Sequence, residues 1–150
     1  MAEEREKKKG TPLSAEVRGL FQGANFAHLA SLMPDGAPHI DPVWVDVEGD
    51  AIIVCSGKSS LKSKNTKRDS RVALSIVAMD NPYNEAQVRG RVIEERNDSD
   101  FAVMDRVSHK YTGKPFPFRA NASERIVLVI AVDRMRYTEL PLIHAPAGPR

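Results

Sequence analysis

The chain has 150 residues, 41% of them apolar, a net charge of +2 and a single cysteine, Cys55. That is the size of one domain with a sizeable core, and the charge is too small to attract nucleic acid in bulk. A lone cysteine excludes an intramolecular disulfide and a cysteine-based zinc site, and His28, His39, His109 and His144 are scattered without metal-ligand spacing.

Met1 to about Thr11 is rich in Glu, Arg and Lys with no apolar run, which reads as a mobile solvated arm rather than a signal peptide. No stretch approaches the roughly 20 apolar residues of a membrane-spanning helix. A helix begins near Pro12 with Ser14 as its cap, carries Val17, Leu20 and Phe21 on one face, and ends at Gly23. Phe26–Met33 is the first strand, Pro34-Asp35-Gly36 a turn, and Pro38–Val47 the second strand, with Ile40, Val43, Val45 and Val47 apolar. After the turn Glu48-Gly49-Asp50 comes the third strand, Ala51–Cys55. Two tight turns joining three strands make an antiparallel meander and exclude a doubly wound parallel sheet. Cys55 closes an apolar strand and reads as a buried, inert thiol; a cytoplasmic protein fits.

A short helix over about Leu61–Arg68 follows, capped by Ser59 or Ser60. Arg71–Ala78 is the fourth strand and Glu85–Glu95 the fifth, where Gln87, Arg89 and Arg91 alternate with Ala86, Val88, Gly90 and Val92, leaving one face wet or lining a site. Ser99–Lys110 reads as a helix, 111–122 as a Pro- and Phe-bearing loop, and Glu124–Val132 as the last strand, extended past a bulge by Met135-Arg136-Tyr137. The expected fold is mainly β: a six-stranded antiparallel split barrel with flanking helices, residues 12–142, between the arm 1–11 and an irregular tail 143–150.

The segment Lys58–Arg71 concentrates charge, with six Lys or Arg among fourteen residues and Asp69 the single acid. Cations held between two buried strands point to a phosphate or another polyanion. Ser59 and Ser60 place hydroxyls and free backbone N–H groups at a helix start, with Lys62 in its first turn. Lys64, Lys67, Arg68 and Arg71 cannot all reach one phosphate; Lys67 and Arg68 read equally well as a solvated helix face.

Three passages carry a family resemblance: Phe26–Leu32 with Pro34–Pro38; Lys62-Ser63-Lys64-Asn65-Thr66-Lys67-Arg68-Asp69-Ser70-Arg71-Val72-Ala73-Leu74; and Glu124–Ile130 with Arg136-Tyr137. Together they resemble the split-barrel flavin and deazaflavin oxidoreductases related to pyridoxamine 5'-phosphate oxidase, nearest the branch that uses coenzyme F420. Departures are Ser70 where relatives carry Pro, Thr66 where they carry an apolar residue, and Ser60 where they often carry a second cation.

The resemblance implies an F420-dependent reductase, or an FMN-dependent oxidase or reductase of the same fold. It implies a homodimer with its site between the subunits and a small-molecule substrate. It implies that Lys62 holds the cofactor phosphate with Asn65 packed nearby, and that Pro42, Val43, Trp44, Val54 and Ser56 form one wall of the ring slot. Ser75, Ile76, Val77 and Ala78 of the second subunit, with Gln87–Arg89 and Tyr137, would close it. Trp44 reads as either a core residue or a stacking platform. No nucleophile–base pair stands out, as expected where a cofactor carries the chemistry. A non-catalytic F420 or tetrapyrrole carrier is the alternative outside enzymes.

Overall fold

The computed structural model describes residues 1–3 and 9–149. In chain order its elements are α1 (Ala15–Gln22), β1 (Ala27–Leu32), β2 (Pro38–Val43), β3 (Asp46–Glu48), β4 (Ala51–Gly57), α2 (Leu61–Arg68), β5 (Arg71–Val77), β6 (Asn84–Asn97), α3 (Ala102–Thr112) and β7 (Arg125–Glu139). The strands form one antiparallel sheet in the order β2-β1-β5-β6-β7-β4-β3.

Two expectations need correcting. The sheet has seven strands rather than six, because Pro38–Val47 is two strands: β2 pairs with β1 at one end of the sheet and β3 with β4 at the other. Nor do the ladders close the barrel. Trp44 and Val45 cross the gap instead, and with Val43 and Asp46 three residues apart the two sheet ends lie within about 11 Å of each other. The sheet is therefore curled but split along a seam.

The inward-facing residues of all the longer strands, among them Leu29, Val54, Leu74, Ile76, Val88, Leu128 and Ile130, form the main core. Helix α1, capped by the Ser14 hydroxyl on the Val17 N–H, adds Val17, Leu20 and Phe21 to it. Burial of such side chains stabilises by about 1.5–3 kcal/mol each. On the outside of β4 and β7, Val103 of α3 packs against a second cluster of Ile53, Val127 and Val129, with Cys55 alongside. Strand β7 runs without a break to Glu139, with a bulge at Asp133 opposite the Arg89/Gly90 step of β6. A Cβ on Gly90 would lie 2.2 Å from the Ala131 carbonyl oxygen, so only glycine fits there.

Of the arm expected over 1–11, residues 4–8 lie outside the described residues, while the Thr11 N–H donates to the Val132 carbonyl at 2.6 Å and so ties its end to β7. Residues 143–149 of the expected tail have no regular structure.

The seam is stitched by the end of α3. Val45 is fully buried, and its N–H donates to the Tyr111 Oη at 3.0 Å while that hydroxyl donates to the Asn25 carbonyl at 2.6 Å. Lys110 Nζ donates to the Val45 carbonyl and, at 3.1 Å, to that of Phe21, with Asp46 Oδ1 3.7 Å away. Burial pushes the Tyr111 phenol up to about 12, the Val45 amide opposing the rise and the Asp46 carboxylate adding to it. Replacing Tyr111 by Phe should leave the Val45 N–H unsatisfied and lower unfolding free energy by about 1–3 kcal/mol in urea titration. A phenol raised in the folded state holds its stabilising share below about pH 10 and loses it as pH approaches 12. That alkaline loss should be smaller in Y111F than in the parent chain.

Candidate functional site

Helix α2 packs against β1, and its buried residues are polar: Ser63, Asn65 and Thr66. Ser60 is its N-cap, accepting the Ser63 N–H at 3.2 Å, and the hydroxyls of Ser56, Ser60 and Ser63 lie 2.7–3.0 Å from one another. Asn65 Nδ2 donates to Ser31 Oγ at 3.0 Å, and Asn65 Oδ1 accepts from Arg68 at the same distance, which ties the helix to β1. Asn65 is wholly buried and its amide is fully committed to the fold.

Neighbouring acids and carbonyls sort the cations of this segment. Lys62 Nζ lies 3.2 Å from Asp41 Oδ2 on β2, with both side chains partly buried, and Asp41 Oδ1 is buried without a hydrogen-bond partner among the described residues. Arg71 pairs with Asp69 at 2.7 Å, which holds the Asp69 carboxyl well below its usual range, at about 2. Arg68 is spent on Asn65 and the Leu32 carbonyl. Lys58, Lys64 and Lys67 are exposed and have no ion-pair partner among the described residues. The Ser59 hydroxyl donates to Glu124 Oε2 at 2.8 Å, so a carboxylate already stands at the helix start.

The remaining expected site residues divide between the two faces of the sheet. Val43, Val54, Ile76 and Ala78 turn their side chains into the core and offer a ligand only backbone. Pro42 and Ser75 are exposed on the opposite, outer face, where Val77 lies half-buried. Trp44 stacks on Tyr111 with ring centroids 5.0 Å apart and planes 5° from parallel, and Phe116 meets its edge, so it belongs to an aromatic cluster beside the seam. The loop after α3 is fastened to that cluster by Phe116 and to α3 by Arg119, 2.6 Å from Asp105. Tyr137 packs against the core.

The outer face carries a groove of about 710 Å³ lined by residues of β1, β2, β5, β6 and β7, including Ser75, Gln87 and Arg89. Its other basic residues, Arg134 and Arg136, were not expected at a site. Their signal was the alternation Arg134, Arg136 about Met135, legible only once the bulge at Asp133 sets which face they take. Cys55 lies outside this arrangement. Burial, with the Asp98 carboxylate, pushes its thiol up to about 12 against the opposing pull of Arg125. It should resist iodoacetamide in the native protein at about pH 8 and react readily once unfolded, as mass spectrometry would show.

Residues 13–139 match the pyridoxamine 5'-phosphate oxidase family. Among solved structures the chain is similar to an F420 reductase, at 26% identity and a TM-score of 0.75, over 84% of this chain and 98% of that one. It is also similar in fold to a conserved hypothetical protein of Mycobacterium tuberculosis, at 23% identity and a TM-score of 0.66, over 94% and 95% of the two chains. A third is a putative 5-nitroimidazole antibiotic resistance protein of Bacteroides thetaiotaomicron, at 19% identity and a TM-score of 0.64, over 83% and 82%. No curated protein matches the chain.

Proposed function

The chain belongs to the pyridoxamine 5'-phosphate oxidase family, and on that premise we propose that it is an F420H2-dependent reductase of an electron-poor conjugated small molecule. The observation that carries this reading is the likeness to an F420 reductase along nearly that protein's whole length. The donor set agrees with it. Three lysines without partners, Lys58, Lys64 and Lys67, ring the start and one side of α2, as a cofactor with a phosphate and a carboxylate tail would require.

When bound, the reduced deazaflavin would supply a hydride. The protein's own residues do the holding. Backbone N–H groups and Ser59 and Ser60 at the α2 start face the phosphate, and Lys62 reaches it on exchanging Asp41 for it. Asn65 keeps α2 fixed against β1, which sets where that grip stands relative to the strands. Pro42 and the backbone of Val43 and Val54 border the ring. Basic helix and outer groove lie on opposite faces of one sheet, so a cofactor held at the helix meets a substrate in a groove only where that groove belongs to a second copy. That geometry supports a homodimer with shared sites.

Titration followed by ring fluorescence tests the reading. F420 should bind at least about tenfold more tightly than FMN. Binding of FMN with no response to F420 would overturn the proposal in favour of a flavin enzyme, and binding without reduction of any quinone or enone would leave a carrier. Two variants separate the parts of the grip. Glu124→Gln should strengthen F420 binding by about three- to tenfold by removing the competing carboxylate at the helix start. Lys62→Ala should weaken it severely, and circular dichroism should check that Asp41, left without its cation, has not unfolded the protein.

A further inference from the structure

The register of the sheet arranges the outer groove as two rows of side chains. One row crosses the strands as Pro42, His28, Ser75, Gln87 and Arg136, and the other as Ile40, Ala30, Ala73, Arg89 and Arg134. Neighbouring strands lie about 4.8 Å apart, so each row spans about 19 Å, and the rows are separated by about 7 Å along the strands. Small residues, Ala30, Ala73 and Ser75, make the floor, and that is why the face is hollow there. Ile40 supplies an apolar wall at one side, while three guanidinium groups stand at the other.

Those guanidiniums form no ion pair among the described residues. Arg89 and Arg134 sit directly opposite each other across the β6–β7 ladder, a like-charge pairing that destabilises a sheet. The nearest acid on the strand, Asp133, is the bulged residue, and it pairs with Arg91 at 2.9 Å outside the groove. No residue lining the groove is acidic, and Arg89, Arg134 and Arg136 make no side-chain ion pair or hydrogen bond among the described residues. A cavity of about 710 Å³ is of the size that holds a small organic ligand. Guanidiniums recognise carboxylates by paired hydrogen bonds, and two or three of them side by side suit a ligand with more than one carboxylate.

We propose that this groove binds a flat, conjugated molecule carrying two or more carboxylates, its ring over Ala30 and Ala73 and its acids on Arg89, Arg134 and Arg136. It rests on the reductase reading only in taking that molecule to be the substrate; the binding itself needs no cofactor. An apolar floor leading to a cationic wall favours a ring with acids at one end over a flexible chain of acids, such as a glutamate tail, which would leave the floor unused.

The full chain, free of cofactor, is titrated with naphthalene-2,6-dicarboxylate, its dimethyl ester and tri-γ-glutamate. The dicarboxylate should bind at least about tenfold more tightly than either of the others, and salt should weaken it. Arg89→Gln and Arg134→Gln, both at exposed positions, should each weaken it about five- to thirtyfold while leaving ester binding unchanged. Equal binding of acid and ester, or no loss in the two variants, would overturn the proposal. Tri-γ-glutamate binding as tightly as the aromatic acid would assign the arginines to a cofactor tail and overturn it too. So would variants that change only the oligomeric state. The two readings fail separately: a Lys64→Gln/Lys67→Gln variant should lose F420 affinity and keep the dicarboxylate, and a chain that ignores F420 but binds the dicarboxylate through these arginines sinks only the cofactor assignment.

Discussion

The buried peptide of Val45 is the point on which the architecture turns. A sheet whose two ends are joined by Trp44 and Val45 must take one strand's worth of backbone across a gap where no ladder can satisfy it. Buried backbone polar groups need partners, and here they come from side chains of a helix more than sixty residues later: Tyr111 for the N–H and Lys110 for the carbonyl. The same two residues reach Asn25 and Phe21, so one helical turn gathers the seam, the end of α1 and the entry to β1. Trp44, stacked on Tyr111, is committed to this joint.

Placing α3 at the seam decides which outer surface of the barrel is covered. Its Val103 lies over Ile53, Val127 and Val129, closing the outside of β4 and the first half of β7. Among the described residues no helix lines the hollow outside β1, β5, β6 and the second half of β7, and small residues there leave that face unfilled. The bulge at Asp133 then divides β7 into an apolar half under α3 and an arginine-bearing half along the groove. Gly90 makes this possible, since any side chain would strike the Ala131 carbonyl. A single steric requirement thus sets which arginines share the groove and turns Asp133 away from it.

Local pattern made most of the elements legible. Period-two alternation marked the strands, Asp35-Gly36 and Gly49-Asp50 marked the turns, and a serine before an amphipathic run marked α1 and α2. The break in Pro38–Val47 left no such trace. Val43, Val45 and Val47 keep the same inward parity across it, because what changes there is the pairing partner, and periodicity records only which face is buried. The candidate site suffers the same limit. Asp41 and Lys62 are 21 residues apart and meet only through the docking of α2 against β2. The groove rows exist only once five strands are in register, although the wet parity of Gln87 and Arg89 was visible in β6 alone.

Charge in this chain therefore acts through what each cation is denied. The six Lys and Arg residues between 58 and 71 look like one polyanion site when counted. Asp41, Asp69 and the Asn65 amide take up Lys62, Arg71 and Arg68, and of these Lys62 and Arg68 fasten α2 to β2 and β1. What remains unpaired is a looser triangle of Lys58, Lys64 and Lys67 around a helix start that Glu124 already neutralises in part, and Lys62 serves a ligand only by leaving Asp41. The groove arginines are the reverse case: unremarked as a run, yet without an ion pair among the described residues, at a cost in like-charge repulsion across β6 and β7. Cations that a fold brings together without an acid are a stronger sign of a ligand than a run of cations that its own acids and carbonyls largely take up.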